Sequence, residues 1–232
     1  MRKLSIPQPV DLIADSDSAT ERAMMAELGP ETELMVGPNP ALAPMPAKPR
    51  LLDFFRLRFS KTTRNHLLQS AANARKAGHP EKIVLACLLH DISMGALIRT
   101  DHGYWGAQLV APYVDEEIAW AIKHHQALRY FADPEVGYEY PQAYVRFWGK
   151  DYVVPDYLKR DHDSARAHRW YGTSRAITLN DLYSFEDGVV IDPDEFEDLI
   201  GRHFKEPQEG LGFDNSPTAH MWRTMIWPNN FL

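Results

Sequence analysis

The chain has 232 residues, 44% hydrophobic and 25% charged, the proportions of a globular domain large enough to bury a core without disulfides. A net charge of -7 offers no basic field for phosphates and argues against nucleic acid as the main partner. Cys87 is the single cysteine, no apolar run reaches membrane-span length, and the first residues lack the apolar stretch of a signal peptide; a cytoplasmic protein with no membrane association is expected.

Residues 1–16 read as an irregular arm, and Ser16 or Ser18 caps a short helix to about Leu28. Residues 37–49 hold five prolines and form an extended strap, since proline removes the N–H that a helix or central strand needs. Leu51 to Phe59 is strongly apolar. Thr62 or Thr63 is placed to cap a helix to about Ala77, closed by Gly78 and followed by a second from Pro80 to His90. That second helix has almost no polar face and belongs at the centre.

Asp101 or Thr100 caps a helix with His102, Gly106 and Leu109, and Asp115-Glu116-Glu117 opens another, with its acids at the favourable end of the helix dipole. On this one Ile118, Ala121, Ile122 and His125 recur at helical spacing, and so do Ala121, His124 and Leu128. Residues 132–141 read as a loop. An aromatic group follows (Tyr144, Phe147, Trp148, Tyr152, Tyr157), then a polar helix near 161–170, a helix Thr173–Phe185 carrying Asp181, and a last clear helix from Asp192. The expectation is an all-α bundle in three segments: 1–49 as arm and Pro-rich strap, 50–204 as the metal-binding domain, and 205–232 as an irregular tail packed on it.

His90-Asp91 ends the apolar run Leu85–Leu89. An imidazole and a carboxylate at the end of a core segment need partners, and a metal ion satisfies both. Further candidates lie on separate helices: His66, His102, His124, His125 and Asp181. Imidazole mixed with carboxylate and no thiolate suits Fe, Mn or Zn chemistry and speaks against a structural zinc site. Helical bundles build dinuclear sites from inward side chains in this way, and a carboxylate directly after a histidine is able to bridge two metals. His162, His168, His203 and His220 fall outside the pattern and read as surface residues.

The order His66 … His90-Asp91 … His102 … His124 … Asp181, with HLLQSA and HPEKIVLACLLHDIS around the first half, resembles the HD-domain superfamily of helical metalloproteins. The six-ligand form is similar to its dinuclear branch. The element His124-His-Gln-Ala-Leu-Arg-Tyr-Phe131 resembles that of the mixed-valent diiron oxygenases that cleave organophosphonates. The resemblance covers roughly 60–190. It implies a first metal on His66, His90, Asp91 and Asp181, and a second on His102 and His124, with Asp91 as the bridge. His124 is favoured over His125 by the family register, and Asp91 and His124 carry the catalytic assignment.

In that branch a histidine three residues after the HD aspartate, a lysine four residues after the fourth metal histidine, and an arginine three before the last aspartate help to bind substrate. The matching positions are Met94, Leu128 and Thr178. These three and Arg129 are the expected substrate pocket, with Arg129, Lys123 and Arg175 as the cations left to substitute. A phosphonate is therefore not the expected substrate. The resemblance implies a diiron oxygenase with two Fe ions, Fe(II)/Fe(III), using O2 to oxidise a C–H bond of a small organic molecule. The alternative is a phosphohydrolase acting on a phosphate ester or nucleotide with Mn, Mg or another divalent metal. Homo-oligomerisation stays open.

Overall fold

The computed structural model describes residues 42–95, 101–181 and 186–227. The expected helix to Leu28 and the start of the strap lie outside them. Ten α-helices follow among the described residues: α1 Leu51–Leu57, α2 Lys61–Lys76, α3 Glu81–Leu89, α4 His102–Val110, α5 Glu116–Leu128, α6 Gln142–Trp148, α7 Asp156–Arg166, α8 Tyr171–Asp181, α9 Glu197–His203 and α10 Ala219–Ile226. No strand is formed among these residues, and no helix among them is long and apolar enough to cross a membrane.

The centre is α3. Val84 to Leu89 are all buried, so this helix has neighbours on every side: α2, α5, α8 and α9 pack on it. α8 packs against both α2 and α5 and closes the ring. α4 lies along α5 because Gly103 removes a side chain at the crossing: a Cβ there would stand 2.9 Å from the Lys123 carbonyl and 3.0 Å from that of Ile122. Any larger residue would push α4 outward.

Several local expectations shift. Ser60, not Thr62 or Thr63, caps α2, its hydroxyl accepting from the Thr63 N–H at 3.1 Å. The polar helix begins earlier, at Asp156. Its face Leu158, His162 and Ala165 is buried, so His162 is not a surface residue; it stacks on Phe131 with ring centroids 4.0 Å apart. Trp148 and Tyr157 are half exposed. The tail is not irregular throughout, because α10 buries Trp222, Met225 and Ile226 at helical spacing. Trp222 meets Phe54 edge to face at 4.8 Å, which locks the tail onto α1. The strap end crosses the tail at Gly210 (φ +91°), where a Cβ would sit 2.6 Å from Lys48 backbone. There the Leu211 N–H donates to the Pro49 carbonyl at 2.7 Å.

Candidate metal centre

Four helix ends meet at one point. α2 contributes His66 from its buried face. α3 stops at Leu89, and the chain turns into a short 3-10 segment, Ile92–Gly95, leaving His90 and Asp91 at the end of the central helix. α4 starts at His102, whose carbonyl accepts from the Ser93 hydroxyl at 3.0 Å. α8 carries Asp181 as the last of its described residues, and α5 supplies a histidine from its last turn.

The distances define two overlapping groups. His66 Nε2 lies 3.1 Å from His90 Nε2 and 3.1 Å from Asp181 Oδ1, and His90 Nε2 is 3.5 Å from the same Asp181 oxygen. In the second group Asp91 Oδ1 lies 3.2 Å from His102 Nε2, 3.3 Å from His125 Nε2 and 3.7 Å from His90 Nε2. The other Asp91 oxygen faces back to His66 Nε2 at 3.5 Å. One carboxylate therefore presents one oxygen to each group. All six residues are buried.

Two histidines are oriented for ligation. His90 Nδ1 is 2.7 Å from the Cys87 carbonyl and His125 Nδ1 is 2.5 Å from the Ile122 carbonyl. A carbonyl only accepts, so each Nδ1 carries the proton and each Nε2 points its lone pair into the cluster. Asp91 Oδ1, Asp181 Oδ1 and His125 Nε2 are buried and make no hydrogen bond. Buried polar atoms are rarely left so, and each one costs on the order of 1–3 kcal/mol. Four imidazoles and two carboxylates gathered in two overlapping groups are a donor set that fits first-row transition metals.

The electrostatics agree. Burial alone would raise the two carboxyls, but His90 and His102 at Asp91, and Arg129 and His66 at Asp181, hold both well below the usual range. Burial lowers His102 to about 4 against the pull of Asp91, so it is neutral and able to ligate at neutral pH. Burial also works against a charged His66, yet Asp181 and Asp91 outweigh it and raise it to about 9. The metal-free cluster thus holds a proton on His66 where a metal would place its charge.

The structure turns His124 away. Its Nδ1 lies 2.8 Å from Asp161 Oδ1 on α7, and its ring packs on Trp120 at 4.4 Å. His125 takes the inward place, because it shares the α5 face of Ile118, Ala121 and Ile122, all fully buried. That face was the sequence signal; the family register pointed to its neighbour. The pocket positions change accordingly. Leu128 and Thr178 are fully buried, with the Thr178 hydroxyl donating to the Arg175 carbonyl at 2.8 Å, and Met94 is half-buried. Counted from His125, the residue four places on is Arg129, and its Nε lies 3.1 Å from Asp181 Oδ2. Lys123 instead lines a separate cavity of about 450 Å³ with Tyr104, Trp105 and Tyr157. Arg175 is buried and bonded to backbone carbonyls.

The HD-domain family model matches residues 63–142, which hold five of the six clustered residues. Over that segment the chain is similar to HD domains. The sixth residue, Asp181, lies beyond the matched segment and is brought in by the packing of α8 on α2 and α3. Of the HD dipeptide, His90 belongs to both groups of candidate ligands, His66–His90–Asp181 and His90–Asp91–His125, and Asp91 to the second. No curated protein matches the chain by sequence.

Proposed function

We propose that this HD-domain chain is a dinuclear metalloenzyme in which His66, His90 and Asp181 hold one metal, His102 and His125 the other, and Asp91 bridges them. The observation that carries the reading is that Asp91 Oδ1, Asp181 Oδ1 and His125 Nε2, buried and without hydrogen bonds, stand in two groups of candidate ligands that share His90.

The reaction we assign is oxidation of a small organic substrate by a diiron centre, mixed-valent Fe(II)/Fe(III), with O2 as the second substrate. Four imidazoles suit iron better than magnesium, which prefers oxygen donors. The cluster is buried, which favours chemistry that must exclude water. The cation supply is thin. Among the described residues Arg129 is the Arg or Lys paired with a cluster carboxylate, whereas a phosphate dianion wants several clamps. Iron, when bound, would supply the activation of O2. The chain's own part is positional: Arg129 has N–H groups beyond the one facing Asp181 and would hold a single anionic group, under the Tyr144 ring 5.2 Å away.

A second reading, metal-dependent hydrolysis of a phosphate ester with Mn or Mg activating water, is favoured by a guanidinium beside the cluster, Arg129 with its Nε 3.1 Å from Asp181 Oδ2, a cation suited to a phosphate oxygen. Anaerobic iron loading followed by EPR separates the two. The oxygenase reading expects a mixed-valent signal, perturbed by a member of a panel of small carboxylate and amino-alcohol compounds, together with O2 uptake. Turnover of phosphate esters with Mn or Mg, with no O2 uptake across the panel, would overturn it.

A further inference from the structure

We propose that Arg175 is a positioning residue that holds the end of α5 against α8 and thereby sets the second metal site. The proposal rests on the dinuclear reading above. Arg175 is 1% exposed, and a buried guanidinium is costly unless its donors are matched. Its partners lie on two sides of one seam. Nη1 donates to the Leu128 carbonyl at 3.0 Å and Nη2 to the Phe131 carbonyl at 3.3 Å. These belong to the C-terminal end of α5 and the turn after it, where helix carbonyls have lost their intrahelical donors. On the other side Nε donates to the Tyr171 hydroxyl at 3.1 Å, and that hydroxyl in turn donates to the buried Asp133 carboxylate. The guanidinium also lies 4.7 Å from the Tyr138 ring.

The residues between these anchors matter most. His125 stands one turn before the clamped Leu128 carbonyl, and Arg129 directly after it. Asp181 stands six residues after Arg175 on α8. One planar fork therefore fixes the distance between the helix carrying His125 and Arg129 and the helix carrying Asp181. The first metal group, His66, His90 and Asp181, takes no ligand from α5; its link to that helix is the Arg129 contact with Asp181. The second depends on His125. Loss of the fork should loosen the second site and spare the first, a selectivity that general destabilisation lacks.

The test is Mn(II) titration of the full chain by calorimetry and EPR, for wild type, Arg175→Lys and Tyr171→Phe, well below each protein's Tm. Lysine cannot reproduce the two-pronged geometry. Arg175→Lys is expected to weaken the second Mn(II) site roughly tenfold or more, the usual range for lost supporting contacts around a metal, and to replace the spin-coupled pair signal with that of isolated Mn(II). Tyr171→Phe keeps the carbonyl bonds and should shift the second site in the same direction by less; it decides the matter if Arg175→Lys does not fold. Unchanged affinity at both sites with only a lower Tm, or equal weakening of both, overturns the positioning role. A wild type that takes up fewer than two Mn(II) overturns the dinuclear reading itself.

Discussion

His124 and His125 are adjacent and chemically identical, so replacing each in turn separates the two rotations of α5. His125 is fully buried, with Nδ1 on the Ile122 carbonyl and Nε2 3.3 Å from Asp91 Oδ1. His125→Ala removes a direct donor, and even a lost supporting residue costs 10–100-fold in metal affinity. A loss at or above about 100-fold, or ~2.7 kcal/mol, is expected at the second site, and metal content should fall from two per chain towards one. His124→Ala removes a pair with Asp161, whose side chain is 33% exposed, and a tilted ring contact with Trp120. A pair this open to solvent contributes up to about 1 kcal/mol and an aromatic contact about 0.5–1.5 kcal/mol, so Tm falls modestly and both metals remain. The assay is metal content by mass spectrometry after loading and desalting, with Mn(II) calorimetry for affinity. A His124→Ala protein that loses a metal while His125→Ala keeps two would refute the assignment.

Asp91 faces both groups and His66 mainly one. Asp91→Asn is therefore expected to abolish both metals and His66→Ala chiefly the first, read as metal per chain. Gly103→Ala inserts a methyl 2.9 Å from the Lys123 carbonyl; overpacking costs about 1–3 kcal/mol, and the displaced α4 should carry His102 outward, seen in urea unfolding and in a weaker second site. The pH response follows from His66, raised in the metal-free fold from its ordinary 6.5 to about 9. Its protonated form stabilises the apo fold fully below about 6.5, and that contribution is lost as pH rises through 9. Apo Tm should drop across this window more steeply than the loaded protein's, and metal uptake at pH 8 should release a proton, measured by calorimetry in buffers of different ionisation enthalpy. Uptake without proton release would contradict it.

Much of the bundle was legible because its signals are local. The unbroken apolar run Val84–Leu89 marked the central helix, and the Asp115-Glu116-Glu117 start matched the observed α5. Five expected metal positions (His66, His90, Asp91, His102 and Asp181) meet in space, since each lies at a helix end or on a buried face that the bundle turns inward. What failed to show in the sequence depends on rotation and long-range contact. Adjacent residues on a helix differ by about 100°, so the identity of His124 or His125 hung on which apolar neighbours found a partner. The carbonyl-clamping role of Arg175 leaves no pattern, because its acceptors at Leu128 and Phe131 are backbone atoms more than forty residues away. The helix Ala219–Ile226 was hidden in a tail rich in Gly, Pro and Trp, although Trp222, Met225 and Ile226 carry the spacing.

The most direct measurement is an anomalous-difference map from crystals of the Mn(II)- or Fe-loaded full chain. Two peaks are expected, on either side of the Asp91 carboxylate, one ringed by His66, His90 and Asp181 and the other by His102 and His125. A single peak, a peak at His124, or none within the cluster would contradict this arrangement.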